Sequence, residues 1–195
     1  MIRELLRISL SLNNMIYAFL ADGFEEVEAI APIDVCRRAG LEVKTVSVTS
    51  SNAVMGAHGI PVVADTMFGD NDYSDADLLF LPGGMPGSAN LDAYEGLRSV
   101  IMAHFNAGKM LSAICAAPLV YGHLGILKGV KATCYPGVEP ELKGAQTTGA
   151  LVEKDGQFMT GKGPGAALAL GYMITEHFCG KEKADMLRKG MIYSL

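Results

Sequence analysis

Apolar positions along this chain fall into short unbroken runs separated by longer amphipathic stretches, and the two kinds alternate. The runs MIYAFLA from position 15 and LLFL from position 78 have no polar interruption, the pattern of strands buried on both faces of a parallel sheet. Positions 41–48, rich in β-branched residues, and 110–114 predict two more strands. Between them, 25–39, 95–107, 164–178 and 181–189 read as helices. The first of these is predicted to turn Val27, Ile30 and Ala31 inward. It ends on Arg37-Arg38 and then Gly40, a basic last turn that complements the helix dipole, followed by a left-handed stop. Positions 60–64 predict a short edge strand, since Pro61 would interrupt a central one. Positions 130–134 predict another strand, and 151–160 a hairpin around Lys154-Asp155-Gly156. Strands alternating with helices of these lengths predict an α/β fold, a doubly wound, mostly parallel sheet with helices on both faces.

The length of 195 residues suits one domain, and the chain holds no repeat or low-complexity tract. The arginine-bearing segment 1–14 precedes a second methionine, Met15, that opens the first strand. The expectation is a dispensable extension at 1–14 and a single working domain at 15–195. Half the residues are hydrophobic and 19% are charged, which excludes a disordered chain. The net charge of −5 is the wrong sign for a protein that grips nucleic-acid phosphates. No apolar run approaches the ~20 residues that span a bilayer, so no membrane partner is expected. Cys36, Cys115, Cys134 and Cys179 form no CxxC pair, and free thiols in a reducing cytoplasm are the default reading. The four histidines have no metal-ligand spacing; no metal and no cofactor is expected.

Ligands of such sheets bind at the carboxyl ends of the strands, and three strand-to-helix turns stand out there. In the first, Cys115 follows the strand 110–114 directly and precedes a helix, the position of a nucleophile elbow without G-x-S-x-G. Backbone N–H groups at the helix start would favour the thiolate, although a buried cysteine equally serves as core filling. In the second, Gly83-Gly84 after the LLFL strand either makes an ordinary tight turn or offers N–H groups to an oxyanion. In the third, Glu25-Glu26-Val27-Glu28 opens a helix. The dipole accounts for Glu25 and Glu26, whereas Glu28 points inward, where a carboxyl with a raised pKa could move a proton.

The blocks at 23–28 (GFEEVE), 33–40 (IDVCRRAG), 81–84 (LPGG), 113–118 (AICAAP) and 160–165 (TGKGPG) together resemble the ThiJ/PfpI family, from about Met15 to the last helices. The resemblance implies a flavodoxin-like sandwich, a homodimer, and Cys115 as nucleophile and redox-sensitive thiol. It implies Glu28 as the carboxyl on that thiol and the N–H groups of Gly84 and Ala116 as the oxyanion site. Gly83, Tyr135 and His58 are pocket candidates, His58 by reaching a partner subunit's site. The family's activities imply a cysteine-dependent glyoxalase or deglycase acting on methylglyoxal or its protein adducts, with protection from carbonyl and oxidative stress. The alternatives are a redox-sensing chaperone and a cysteine peptidase. Two departures bear on the last. The peptidase branch has a histidine after the cysteine, where this chain has Ala116. The deglycase branch has one before the proline after the next strand, where this chain has Tyr135 before Pro136. Peptidase chemistry is left without its usual proton-transfer partner. Cys134, near the same strand end, reads as packing in preference to a resolving thiol for oxidised Cys115.

Overall fold

A computed structural model of the chain describes residues 14–194. The expectation of an extension at 1–14 lies, but for Asn14, outside the described residues. The central sheet has seven strands: β1 (Met15–Leu20), β2 (Glu42–Ser47), β5 (Thr66–Met67), β6 (Ala76–Leu81), β7 (Met110–Ile114), β10 (Val152–Asp155) and β11 (Phe158–Gly161). Their order is β10-β11-β7-β6-β1-β2-β5, and every pairing is parallel except β10 with β11. The strands predicted to be doubly buried are so: every residue of β1 is buried, and Leu78, Leu79, Phe80 and Leu81 are at most 2% exposed. At about 1.5–3 kcal/mol per buried large apolar side chain, these central strands anchor the fold.

Five α-helices have their expected neighbours: α1 (Glu26–Ala39), α3 (Glu95–Asn106), α4 (Pro118–His123), α5 (Ala167–Cys179) and α6 (Lys181–Gly190). A further helix, α2 (Gly87–Ala93), lies in a stretch for which the sequence predicted no element. α1 packs against α5 at a close approach. A Cβ on Gly171 would lie 2.9 Å from Val35 Cβ and 3.0 Å from Pro32 Cα, so only glycine lets the two helices meet there. Among the described residues no helix is long and apolar enough to cross a membrane.

Three sequence expectations are corrected. Val27 and Ile30 face out, 51% and 43% exposed, while α1 buries Ala29, Ile33, Cys36 and also Glu28. The buried face carries Ala29, Pro32, Ile33, Val35, Cys36 and Ala39 against Val27 and Ile30 on the exposed one, so an expectation resting on the first two turns alone picks the wrong face. Pro61–Val63 (β4) does not edge the main sheet but pairs with Ala53–Met55 (β3) in a separate ribbon, leaving β5 as the edge. The strand expected at 130–134 contracts to Lys131–Ala132 (β8) and pairs with Gln146–Thr147 (β9) outside the main sheet. The hairpin at 151–160 forms as expected, as β10 and β11.

Candidate functional site

Three strand ends and one helix start converge on Cys115. β7 ends at Ile114, and Cys115 then adopts φ 64°, a left-handed conformation uncommon for a residue with a side chain. The elbow is held by two backbone bonds: Cys115 N–H donates to Gly161 O at 2.9 Å, and Tyr135 N–H donates to Cys115 O at 2.9 Å. The adjoining strand β11 and the loop after β8 thus fix the peptide that carries the thiol. Pro118, at the first position of α4, starts the helix without spending an N–H.

The carboxyl arrives from the other side. Glu25 caps α1, its Oε2 accepting from Glu28 N–H at 2.6 Å, and its own N–H donates to Gly83 O at 2.9 Å. This lashes the helix start to the loop after β6 and directs Glu28 into the interior, where it is wholly buried. Gly83 separates the two reactive groups: a Cβ there would lie 2.3 Å from Glu28 Oε2 and 2.6 Å from Cys115 Cβ. Gly84, at φ +92°, packs its α-carbon against the backbone of 23–25. No residue with a side chain fits at either position, which accounts for the glycine pair.

The electrostatics follow from burial. Desolvation pushes the Glu28 carboxyl from 4.5 up to about 7, and the Glu25 charge adds to the rise; the Cys115 thiol and the Gly83 N–H oppose it. Among the described residues neither Glu28 oxygen has a fully formed hydrogen bond, so this buried carboxyl is short of partners there. Burial first, and then the Glu28 charge, push the Cys115 thiol upward, against the N–H groups of Gly84 and Ala116 that favour its anion. The expectation that the helix start alone would favour the thiolate is therefore corrected, because desolvation and a neighbouring carboxylate outweigh two N–H dipoles. The two groups titrate as a pair. Both cannot ionise at once in so small a buried space, and the pair gives up its first proton near the Glu28 value.

The other predicted residues scatter. Tyr135 flanks the elbow, half exposed, and its ring lies 3.3 Å from where a Cβ on Gly163 would stand. His58 is paired within its own chain: Nδ1 lies 2.8 Å from Glu26 Oε2 and 3.9 Å from Glu25 Oε1. Glu25, Glu26 and His58 thus bring three ligand-type atoms within 4.8 Å of one another, a cluster that sequence spacing could not reveal because 32 residues separate His58 from Glu26. Cys36 and Cys134 are buried, and burial raises both thiols.

The profile of the DJ-1/PfpI family matches residues 14–177. The chain belongs to that family. Among its DJ-1/PfpI relatives, Protein DJ-1 homolog B of Arabidopsis thaliana is 40% identical over 167 residues, covering 85% of this chain and 38% of the relative. The chain thus spans about two-fifths of the length of the Arabidopsis relatives it matches. A Thermococcus kodakarensis protein named as a deglycase is 33% identical over 148 residues, 74% of this chain and 87% of that one. The crystal structure of Drosophila melanogaster DJ-1beta superposes with a TM-score of 0.88 at 31% identity, covering 94% of this chain and all of that one. The α/β fold with a mostly parallel sheet and flanking helices, expected from the sequence, is the fold observed, and it is DJ-1-like.

Proposed function

We propose that this DJ-1/PfpI member is a cysteine-dependent enzyme acting on small reactive carbonyls, methylglyoxal or its early protein adducts. The observation that carries the reading is the convergence of one thiol, one buried carboxyl of raised pKa and two backbone N–H groups directed at that thiol, at a single strand end. The similarity to a protein named as a deglycase agrees with it. In the first step Glu28, as carboxylate, takes the Cys115 thiol proton. The sulfur bonds to the aldehyde carbon, and the carbonyl π electrons move to oxygen. The Gly84 and Ala116 N–H groups stabilise that alkoxide, and Glu28 returns the proton to it. This step gives an enzyme-bound hemithioacetal with no net change in oxidation state; the carbon-bound proton then moves to the neighbouring carbonyl carbon, and water hydrolyses the resulting thioester to the 2-hydroxy acid and the free Cys115 thiol. A carboxyl that titrates near 7 is suited to both proton transfers at neutral pH.

A redox-sensing role is the second reading, favoured by the same carboxyl, which in its protonated form would donate a hydrogen bond to an oxygen of an oxidised Cys115. Peptidase chemistry is disfavoured, since Ala116 and Tyr135 stand where a histidine would act. The deciding experiment compares methylglyoxal consumption by the wild type and Cys115→Ser, alongside mass spectrometry of peroxide-treated protein. Turnover that vanishes in Cys115→Ser supports the enzyme. Absence of Cys115-dependent turnover overturns it, and a two-oxygen gain on the Cys115 peptide then favours the sensor.

We further propose that the working form is a homodimer joined through the outward face of α1 and the β3–β4 ribbon. Val27, Ile30, Met55, Ile60 and Val63 all expose large apolar side chains there, and Glu26 ties helix to ribbon through the N–H and ring of His58.

A further inference from the structure

A cavity of about 660 Å³ lies between the edge strand β10 and the helices α5 and α6, within the ~300–1,000 Å³ range of small-molecule sites. Leu151, Val152, Ala169 and Met173 give it an apolar lining, and Lys154, His177, Tyr193 and the paired Glu176 and Arg188 stand at its polar side. None of them belongs to the Cys115 site.

On the polar side the charges of Glu176 and Arg188 are matched, and Lys154 is the cation left over. Lys154 Nζ donates to His177 Nδ1 at 3.0 Å. With Nδ1 accepting, the imidazole is neutral and carries its proton on Nε2; burial and the Lys154 charge hold its pKa below the ordinary value. Lys154 has no ion pair among the described residues, unlike the other cation at the cavity. Arg188 is matched by Asp185 at 2.8 Å and Glu176 at 3.5 Å. One ammonium is therefore left without an acidic partner among the described residues, beside an apolar wall.

We infer that this cavity binds a monocarboxylate bearing an apolar chain. The carboxylate accepts from Lys154 Nζ, which His177 Nδ1 holds at the cavity, and the chain lies on Leu151, Val152, Ala169 and Met173. A phosphate or dicarboxylate matches the single unpaired cation less well, and a neutral or cationic amphiphile leaves it uncompensated. The site is independent of the cysteine chemistry.

Titration calorimetry on the full chain tests this with three probes of one chain length: octanoate, octan-1-ol and octylammonium. Saturable octanoate binding is expected, at least about tenfold tighter than either competitor. Lys154→Met is expected to weaken octanoate about tenfold or more, Ala169→Phe to abolish binding by filling the lining, and Cys115→Ser to leave it intact. Lys154 is exposed, so its replacement leaves the fold in place, which a thermal melt verifies. Absence of saturable octanoate binding up to about 10 mM, or equal binding by Lys154→Met, overturns the proposal. So does a change of particle mass in solution with Met173→Glu, which would make the groove a protein interface.

Discussion

Replacing Glu28 by glutamine removes one ionisable group from the interior while keeping its shape, and the effect on stability should depend on pH in one direction. In the folded chain the carboxyl keeps its proton up to about pH 7, against an ordinary value of 4.5. Below pH 4.5 it is protonated in both folded and unfolded chains and costs nothing. Above pH 7 it is ionised in both, and only the folded chain must hold that charge away from water. The stability associated with this group is thus fully present below pH 4.5 and is lost as pH rises through 7. At about 1.4 kcal/mol for each tenfold change in proton affinity, the loss amounts to about 3 kcal/mol. Glutamine does not titrate, so Glu28→Gln should gain about 3 kcal/mol on the wild type between pH 4 and pH 8. For a chain of this size that corresponds to roughly 6–12 °C in Tm. Urea denaturation of both proteins at half-unit pH steps measures the difference, in which every other titrating group cancels. A difference that stays flat from pH 4 to pH 8 would refute the raised pKa and, with it, the proton-shuttling role drawn from it.

The same coupling governs thiol reactivity: the pH–rate profile of Cys115 alkylation by iodoacetamide should rise with a midpoint near 7. In Glu28→Gln that step should disappear, leaving only an increase at higher pH; an unchanged profile would show that the two groups do not share a proton. For the proposed dimer, Val27→Asp puts a charge into the apolar outward face of α1 and should shift the particle from dimer to monomer in light scattering. A wild type that is monomeric at micromolar concentration would remove that interface from consideration.

The sequence by itself determined the parallel core, because an unbroken apolar run such as 78–81 can be satisfied only by burial on both faces. It also determined the place of Cys115, since a cysteine directly after such a strand must stand at the sheet's carboxyl edge; that the glycines at 83 and 84 admit no side chain is decided by the approach of Glu28, Cys115 and the backbone of 23–25. What it could not determine was anything that depends on which face of an element meets which neighbour. Val27 and Ile30 look like core by type and are surface by placement, because α1 turns Ala29, Ile33 and a carboxylic acid toward the sheet instead. The pairing of β4 with β3, and of His58 with Glu26, joins segments whose residues carry no mutual signal along the chain. The balance at the thiol is tertiary as well. Local sequence supplies the N–H dipoles that favour an anion, but burial and the approach of Glu28 from a distant helix decide where the proton rests, because desolvation is a property of the assembled interior.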